Sequence, residues 1–174
     1  MITPLKLVKI NICLYFISAV FLLSSCSKKN NEHLVLEPIT LSAEGPYFEG
    51  PNSFQGKIGE DVAKYLQEKG YKKEQLKEIK IVKATIALDS LLTDIQDLTL
   101  QIVSEKESMQ KLGFINPLPS GNQNIQLSIA KEQTELVSYF LEGGTLILDA
   151  NFLKDKEENV AFTANLELEL TLKK

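Results

Sequence analysis

Apolar residues recur at every second position over five stretches of the chain. The longest runs from Val160 to Leu172, where mainly threonine, asparagine and glutamate alternate with the apolar side chains. Successive side chains of a strand point to opposite faces, so this period predicts antiparallel strands with one buried and one wet face. A less regular stretch from 34 to 41 contains Pro38, which predicts an edge strand because proline donates no ladder hydrogen bond. The other alternating stretches cover residues 82–88, 98–102, 125–129 and 146–152.

Two segments show a helical period instead. Between residues 58 and 66, apolar side chains recur at i, i+4, i+7 and i+8, and Gly70 is placed to stop the helix. A shorter helix is predicted from 136 to 141, with Thr134 as its cap and Gly143 as its stop.

These elements predict a single, mostly β domain over residues 34–174, in the α+β class. We expect an antiparallel β-sandwich of about six to seven strands, since one-sided strands bury their apolar faces best between two sheets. The two short helices would cover an end or an open seam. The last strand, at about 14 residues, is longer than usual and must bend or serve two sheets. It therefore suggests an alternative, a strongly curled sheet wrapped on a helix.

Two Glu-Gly-Pro triplets flank Tyr47 and Phe48 between residues 44 and 52. Glycine and proline at this density predict a loop, yet two aromatic side chains are costly to leave in water. Either the aromatics fold back as a plug over the core, or they form an exposed recognition loop. Tyr47 and Phe48 are therefore the candidate binding residues. The charged run at 154–159 is interpreted as a hairpin turn.

The N-terminus has a pattern of its own. Lys6 and Lys9 precede an almost wholly apolar run from 10 to 23, and small residues follow it. A positive start, a short apolar run and a small-residue exit describe a secretory signal peptide. The run is about 14 residues long, short of the roughly 20 that a membrane-spanning helix needs. Residues 1–25 are therefore predicted to be removed.

The tetrad Leu23-Ser24-Ser25-Cys26 resembles the lipobox of bacterial lipoproteins. The resemblance implies that Cys26 becomes the first residue after cleavage and is acylated on its sulfur and on its new amino group. Several acyl chains anchor a protein stably, whereas a single chain binds membranes only marginally. We assign residues 26–33 to the lipidated cysteine and a flexible tether, whose polar part reaches about 25 Å when stretched.

The residue types that are missing after the lipobox limit the reactions that the domain could catalyse and the ligands that it could hold. Beyond Cys26 there is no cysteine, and the only histidine is His33 in the tether. A nucleophile–histidine site or a zinc site needs such residues, and no glycine-rich phosphate loop is present. We therefore expect no catalytic residues, no metal and no cofactor. Every basic residue is lysine and the chain is mildly acidic, which argues against nucleic acid as a partner.

Carboxylates are the remaining reactive groups. A pair of them can hydrolyse glycosides, and a larger set can hold calcium, although these spacings match no calcium loop. Charged turns between strands are more commonly just solvated. The carboxylates fall into two clusters: Asp89, Asp94 and Asp97 near one strand entrance, and Asp155, Glu157 and Glu158 in one turn.

Three functions follow from these observations. The first is a non-enzymatic, membrane-anchored envelope lipoprotein whose domain binds another envelope component or has a structural role. The second is a periplasmic carrier of an apolar ligand such as lipid, because curled sheets can enclose an apolar cavity. The third is a carboxylate-dependent glycan enzyme acting through Asp94 or Asp97.

The residues after Cys26 suggest a location. In the lipoproteins that this chain resembles, aspartate directly after the cysteine often retains the protein at the inner membrane. Ser27 therefore favours the outer membrane. Acidic residues at this point send some lipoproteins to the cell surface, but here Lys28 and Lys29 are basic. We therefore expect the domain to face the periplasm, with these lysines near anionic headgroups.

Overall fold

The computed structural model describes residues 29–88, 94–119, 121, 123–157 and 159–173. The predictions for the signal peptide, for Cys26 and for the carboxylates of Asp89 and Glu158 lie outside these residues. Within the described ranges, no helix is long and apolar enough to cross a membrane.

The described residues form ten β-strands and two α-helices, and every strand pair is antiparallel. A short 3-10 turn over Lys73–Gln75 precedes the fourth strand. In chain order the elements are β1 (Lys29–Val35), β2 (Ile39–Ser42), β3 (Gly50–Lys57), α1 (Asp61–Glu68), β4 (Leu76–Leu88), β5 (Ile95–Val103), β6 (Gln110–Ile115), β7 (Asn124–Gln126), β8 (Ser128–Ile129), α2 (Leu136–Leu141), β9 (Thr145–Phe152) and β10 (Ala161–Lys173).

All of these strands belong to one sheet, which curls until its two edges meet. Its order is β7-β4-β10-β2-β3-β9-β5-β6-β8, and β1 also pairs with β10. The two outermost strands, β7 and β8, are separated along the chain by Leu127 alone. The Leu127 N–H donates to the Ala84 carbonyl of β4, and the Ala130 N–H donates to the Leu112 carbonyl of β6. Residues 124–130 thus join both edges, and the sheet is a nearly closed barrel.

The prediction of a mostly β, antiparallel fold with two short helices is confirmed. The two facing sheets of a sandwich are not formed, because one sheet of more strands than expected curls around the core. Strands β4 and β10 are 13 residues long and pair with register shifts at Glu167/Leu168 and Thr171/Leu172. Such bulges bend strands and increase their twist, so these long strands curve instead of separating into two layers.

The long strand β10 serves two neighbours along one edge. Its first residues, Ala161–Ala164, pair with β2, and its second half pairs with β1. The predicted strand over 34–41 is therefore two strands, with Pro38 in the gap between them. Helix α1 lies beside β1, because the Tyr65 hydroxyl donates to Glu32 Oε2 at 3.0 Å.

The inward faces of the strands join one hydrophobic core. On β10 every second side chain from Phe162 to Leu172 is no more than 1 % exposed, as the alternation predicts. Phe54 lies in an aromatic cluster, with its ring centroid 4.7 Å from that of Phe162 and 6.2 Å from that of Phe152. The helices complete the core with Val62, Leu66, Leu136, Tyr139 and Phe140.

The barrel has two different ends. At one end, which we call the helix end, β1, β4, β6 and β9 begin and β3, β5 and β10 end, next to both helices. At the opposite end, the loop end, residues 43–49 connect β2 to β3 and residues 153–160 connect β9 to β10. The chain that leads from Cys26 therefore enters the barrel at the helix end.

Residues 29–33 were assigned to a flexible tether, and this is a correction, because they form most of β1. Lys29 to His33 pair with Lys173 to Glu169 of β10. The polar side chains that suggested a tether alternate between exposed and partly buried positions on this edge strand. Only Ser27 and Lys28 remain between Cys26 and the barrel, so about 10 Å separates the cysteine from Lys29 at full extension.

The predicted stops of both helices are right, but the start of α1 and the cap of α2 are corrections. Ile58 was expected in the first helix, yet it precedes α1 and its N–H donates to the Gly144 carbonyl at 2.9 Å. Gly70 and Gly143 follow the two helices with φ of +74° and +80°, a conformation that glycine adopts without strain. Helix α2 begins after Glu135, which has no side-chain cap bond. Thr134 does not cap the helix, because it lies one residue before the cap position; its backbone N–H donates to Gln110 Oε1 of β6 at 3.3 Å.

Gly56 permits the close approach of β2 and β3. A Cβ at this position would lie 2.3 Å from the Thr40 carbonyl oxygen and 2.8 Å from Leu41 Cδ2. We expect Gly56→Ala to lower the free energy of unfolding by about 1–3 kcal/mol, the cost of overpacking, because a backbone oxygen cannot move aside alone. Gly59→Ala is the control, since its new Cβ would meet nothing nearer than 3.7 Å. Urea unfolding compares the two; equal midpoints would contradict this packing.

Candidate functional site

Two segments meet at the loop end. The backbones of Tyr47 and Lys156 exchange hydrogen bonds of 3.0 and 2.8 Å, and the Glu49 N–H donates to Asp155 Oδ1 at 2.7 Å. The run at 154–159 was interpreted as a hairpin turn, and this is a correction. Strands β9 and β10 are not neighbours, because β2 and β3 lie between them in the sheet. The connection therefore crosses the end of the barrel and pairs with the loop that follows β2.

Tyr47 closes this end of the barrel. Its side chain is buried, and its ring stacks on Phe152 at 6.0 Å and lies 5.2 Å from Phe54. The hydroxyl donates to the Ala43 carbonyl at 2.8 Å and accepts from the Val160 N–H at 3.4 Å. The ring thus adds to the core while its polar tip is satisfied, as buried tyrosines require. Of the two interpretations of this loop, the plug is confirmed for Tyr47.

Phe48 has the opposite environment, with 63 % of its surface exposed. The Asn52 side chain clamps the loop around it: Asn52 Oδ1 accepts from the Phe48 N–H at 3.2 Å, and Nδ2 donates to the Phe48 carbonyl at 2.7 Å. A third bond joins Asn52 Nδ2 to the Gly50 carbonyl at 3.0 Å, and Gly50 has a φ of +100°. The aromatic ring is therefore held in solvent by an ordered backbone, as the recognition-loop interpretation expects.

A second exposed apolar side chain lies on the neighbouring segment. Leu153 is 54 % exposed and its N–H donates to the Asp94 carbonyl at 2.8 Å. Sequence reasoning missed it, although it breaks the period of two directly after Phe152 and could have been recognised as an extra apolar residue. We call this surface the rim; it consists of Phe48, Glu49, Leu153, Lys154 and Asp155.

Charges fix the segment that carries Leu153. Asp94 Oδ2 lies 2.5 Å from Lys156 Nζ and 3.1 Å from Lys154 Nζ. The hydrogen bond from Lys156, followed by that from Lys154, holds the pKa of Asp94 below its usual range. A lowered carboxylate pKa means that this contribution to stability is present above the usual range and is lost as the pH falls through the lowered value. The rim is therefore tied to the entrance of β5.

The carboxylates considered for glycan chemistry have other partners. Asp94 binds the two lysines, Asp97 Oδ2 accepts from Asn151 Nδ2 at 3.2 Å, and Asp155 accepts from the Glu49 backbone. Among the residues that the structure describes, no group of three or more His, Cys, Asp or Glu side chains is placed to hold a metal ion. These bonds link the segments of the loop end to one another.

A carrier would enclose an apolar cavity, whereas the inward faces here join the hydrophobic core. A groove of about 450 Å³ lies on the barrel wall next to β6 and is open to solvent. Its lining includes Lys111, Phe114 and Glu132, and the Lys111 amine lies 5.7 Å from the centroid of the Phe114 ring. Exposed apolar side chains thus occur at the wall as well as at the rim.

No protein-family model and no curated protein matches the chain.

Proposed function

We propose that this protein is a membrane-anchored envelope lipoprotein that works by binding, and that it binds another envelope protein through the rim. One observation carries the proposal: Phe48 and Leu153 are exposed on two paired segments at the end of the barrel opposite to the start of β1. The absence of cysteine and histidine from the chain after His33 favours binding over nucleophilic catalysis.

The anchor and the rim are at opposite ends of the barrel. Acyl chains on Cys26 would lie within about 10 Å of Lys29, where β1 begins at the helix end. Such a short connection holds the helix end at the membrane and directs the rim away from it, toward other proteins. The Leu23-Ser24-Ser25-Cys26 lipobox and Ser27 support an outer-membrane location facing the periplasm.

The rim has the composition of a small protein-binding surface. Phe48 and Leu153 supply apolar area, and Glu49, Lys154 and Asp155 supply charge around them. Interfaces combine an apolar centre with a polar edge, and aromatic side chains are enriched at their centres. The bonds of Asn52 and Asp94 order both segments before any partner arrives. An ordered surface loses less conformational entropy on binding, which favours affinity.

Site-specific cross-linking tests the proposal. A photoreactive amino acid replaces Phe48 or Leu153 in the full-length protein, and intact cells are irradiated. We expect one discrete adduct from both positions, identifiable by mass spectrometry. The same group at Ser128, an exposed position on the barrel wall, is the control and should give no such adduct.

Substitution gives the size of the effect. We expect Phe48→Ser to weaken capture of the cross-linked partner about thirtyfold, which corresponds to about 2 kcal/mol, the level of an interface hot spot. Phe114→Ser removes the same side chain from the barrel wall, where 44 % of it is exposed, and should leave capture unchanged. A stronger loss with Phe114→Ser than with Phe48→Ser would place the interface on the wall and reject the rim.

A further inference from the structure

Three segments meet at the helix end, and we call the surface that they form the tip; it consists of residues 29–30, 67–77 and 172–173. Lys29 lies opposite Lys173 in the β1–β10 register. The Asn30 side-chain amide donates to the Tyr71 hydroxyl at 3.3 Å, and Gln75 Nε2 donates to the Lys173 carbonyl at 3.0 Å. These contacts bring together the first residues of β1, the last residues of β10 and the segment between α1 and β4.

This tip is strongly basic in a chain whose formal net charge is −4. It carries six lysines against two glutamates, Glu68 and Glu74. The tip therefore has a net charge opposite in sign to that of the whole chain, and all six lysines are exposed. The lysines are Lys29, Lys69, Lys72, Lys73, Lys77 and Lys173.

The ion pairing of lysines differs between the tip and the rest of the barrel. In the described part of the chain, no carboxylate oxygen lies within 4.0 Å of any of the six tip amines. Of the nine described lysines outside the tip, five do have such partners, whereas Lys57, Lys64, Lys111 and Lys131 do not. These paired lysines are Lys80, Lys83, Lys106, Lys154 and Lys156. The tip thus concentrates cations without a carboxylate partner among the described residues, although Lys77 donates to the Glu74 carbonyl and the Lys69 amine lies 5.7 Å from the centroid of the Tyr65 ring.

We propose that this basic tip binds the anionic phosphate headgroups of a lipid surface and so sets the barrel upright on the membrane. The inference adds an orienting surface to the proposed anchor and rests on it for the choice of occupant. At full extension, Lys29 lies about 10 Å from Cys26, close to the screening length of about 8 Å at physiological salt. A membrane is the anionic surface that the anchor brings to this distance, whereas a soluble acidic partner would have to diffuse to it.

Lysine labelling on vesicles tests the orientation. The full protein purified from cell membranes is placed in vesicles of phosphatidylcholine alone or mixed with phosphatidylglycerol, and its amines are acetylated and located by mass spectrometry. We expect Lys72 and Lys73 to react several-fold more slowly in the anionic vesicles, and high salt should remove this protection. Lys111 and Lys131, exposed on the barrel wall, should react equally in both. Equal reactivity of the tip lysines in both vesicles overturns the proposal.

Two double variants that remove the same charge distinguish binding through the tip from an effect of the protein's overall charge. Lys72→Gln with Lys73→Gln removes two tip charges and breaks no ion pair. Lys111→Gln with Lys131→Gln removes the same charge from the wall, where neither amine has a carboxylate within 4.0 Å among the described residues. Each lysine near an anionic surface raises the binding constant for that surface about fivefold. The tip pair should therefore remove most of the several-fold protection of Lys29 and Lys173, and the wall pair should leave it unchanged. An equal effect of both pairs overturns the proposal.

The mass of the intact protein separates failure of the anchor from failure of the tip. If Cys26 carries no acyl chains, the proposed anchor is wrong. The same lysine labelling then measures whether the unacylated protein binds the vesicles. Protection of Lys72 and Lys73 that still requires phosphatidylglycerol supports the tip on its own. If the protein is acylated and its tip lysines are unprotected, the proposed anchor is supported and the proposed membrane binding by the tip is overturned.

Discussion

Phe162→Asp is expected to leave little folded protein at room temperature. Phe162 is fully buried on β10, opposite Leu41 on one side and Leu88 on the other, and its ring lies 4.7 Å from that of Phe54. Truncating a buried phenylalanine alone costs about 3–5 kcal/mol, and the aspartate adds a charge without a partner in the core. That loss approaches the whole stability of an ordinary domain, about 5–15 kcal/mol.

Thr163→Asp is the matched control, one residue further along the same strand. Its side chain points out of the barrel between Ala87 and Thr40, so an aspartate there stays in water and should cost about 1 kcal/mol or less. Thermal unfolding followed by circular dichroism compares the variants. A shift of one residue in register would exchange the two outcomes, so equal melting temperatures would show that β10 is wrongly placed.

The strands that the sequence predicts are those with strict alternation. In β9, Leu146, Leu148, Ala150 and Phe152 are all fully buried, as their period requires. In β5, Leu98, Leu100 and Ile102 are fully buried in the same way, while a register shift between Ile95 and Asp97 interrupts the period at the start of the strand. Where no bulge intervenes, successive side chains alternate between the core and the outer face, so the period of two predicts their burial correctly.

Two strands carry no such pattern and were missed. Strand β3 reads Gly-Pro-Asn-Ser-Phe-Gln-Gly-Lys, and Phe54 is its only fully buried side chain. Its place in the sheet comes from eight paired positions with β9, which lies far along the chain. In β6, a register shift opposite Leu100/Gln101 leaves Leu112 and Gly113 both buried, so the period of two is interrupted. Long-range pairing and bulges therefore determine these strands, and a local pattern cannot show them.

A bulge also explains the error in the inward face of β4. Val82 was counted with Ala84 and Ile86, yet it is 44 % exposed. The register with β10 shifts between Glu167 and Leu168, so that Ile81 faces the core next to Ala84. A bulge inserts one extra residue and exchanges the faces beyond it, which alternation alone cannot reveal.

The rim was only partly predictable for a related reason. Composition indicated a loop at Tyr47 and Phe48 and left open whether the rings are buried or exposed. The answer depends on the backbone of Lys156, which pairs with Tyr47 and turns its ring inward. Phe48, the next residue, then points away from the barrel. The burial of Tyr47 and the exposure of Phe48 therefore depend on Lys156, which lies in the connection between β9 and β10.

Cys26→Ser is expected to abolish membrane attachment through acyl chains. Burial of each acyl methylene contributes about 0.8 kcal/mol, so several chains on one residue give an anchor that salt does not remove. Without the sulfur there is no site for the lipobox reaction, and the variant should accumulate as an unprocessed precursor or in the soluble fraction. Ser25→Ala keeps a small residue before the cysteine and is the control, which should stay attached. Labelled palmitate that still enters Cys26→Ser would show that the anchor lies elsewhere.

The basic tip makes a finer prediction about the same variant. Each tip lysine contributes about 1 kcal/mol near an anionic surface, so the six lysines together can hold the barrel weakly when the acyl chains are absent. Cys26→Ser protein that has lost the signal peptide and still remains on membranes should therefore leave them in high salt, because screening weakens charge attraction. Adding Lys72→Gln and Lys73→Gln should remove this remainder at low salt as well. Fractionation at two salt concentrations measures it, and a remainder that resists salt would contradict electrostatic binding by the tip.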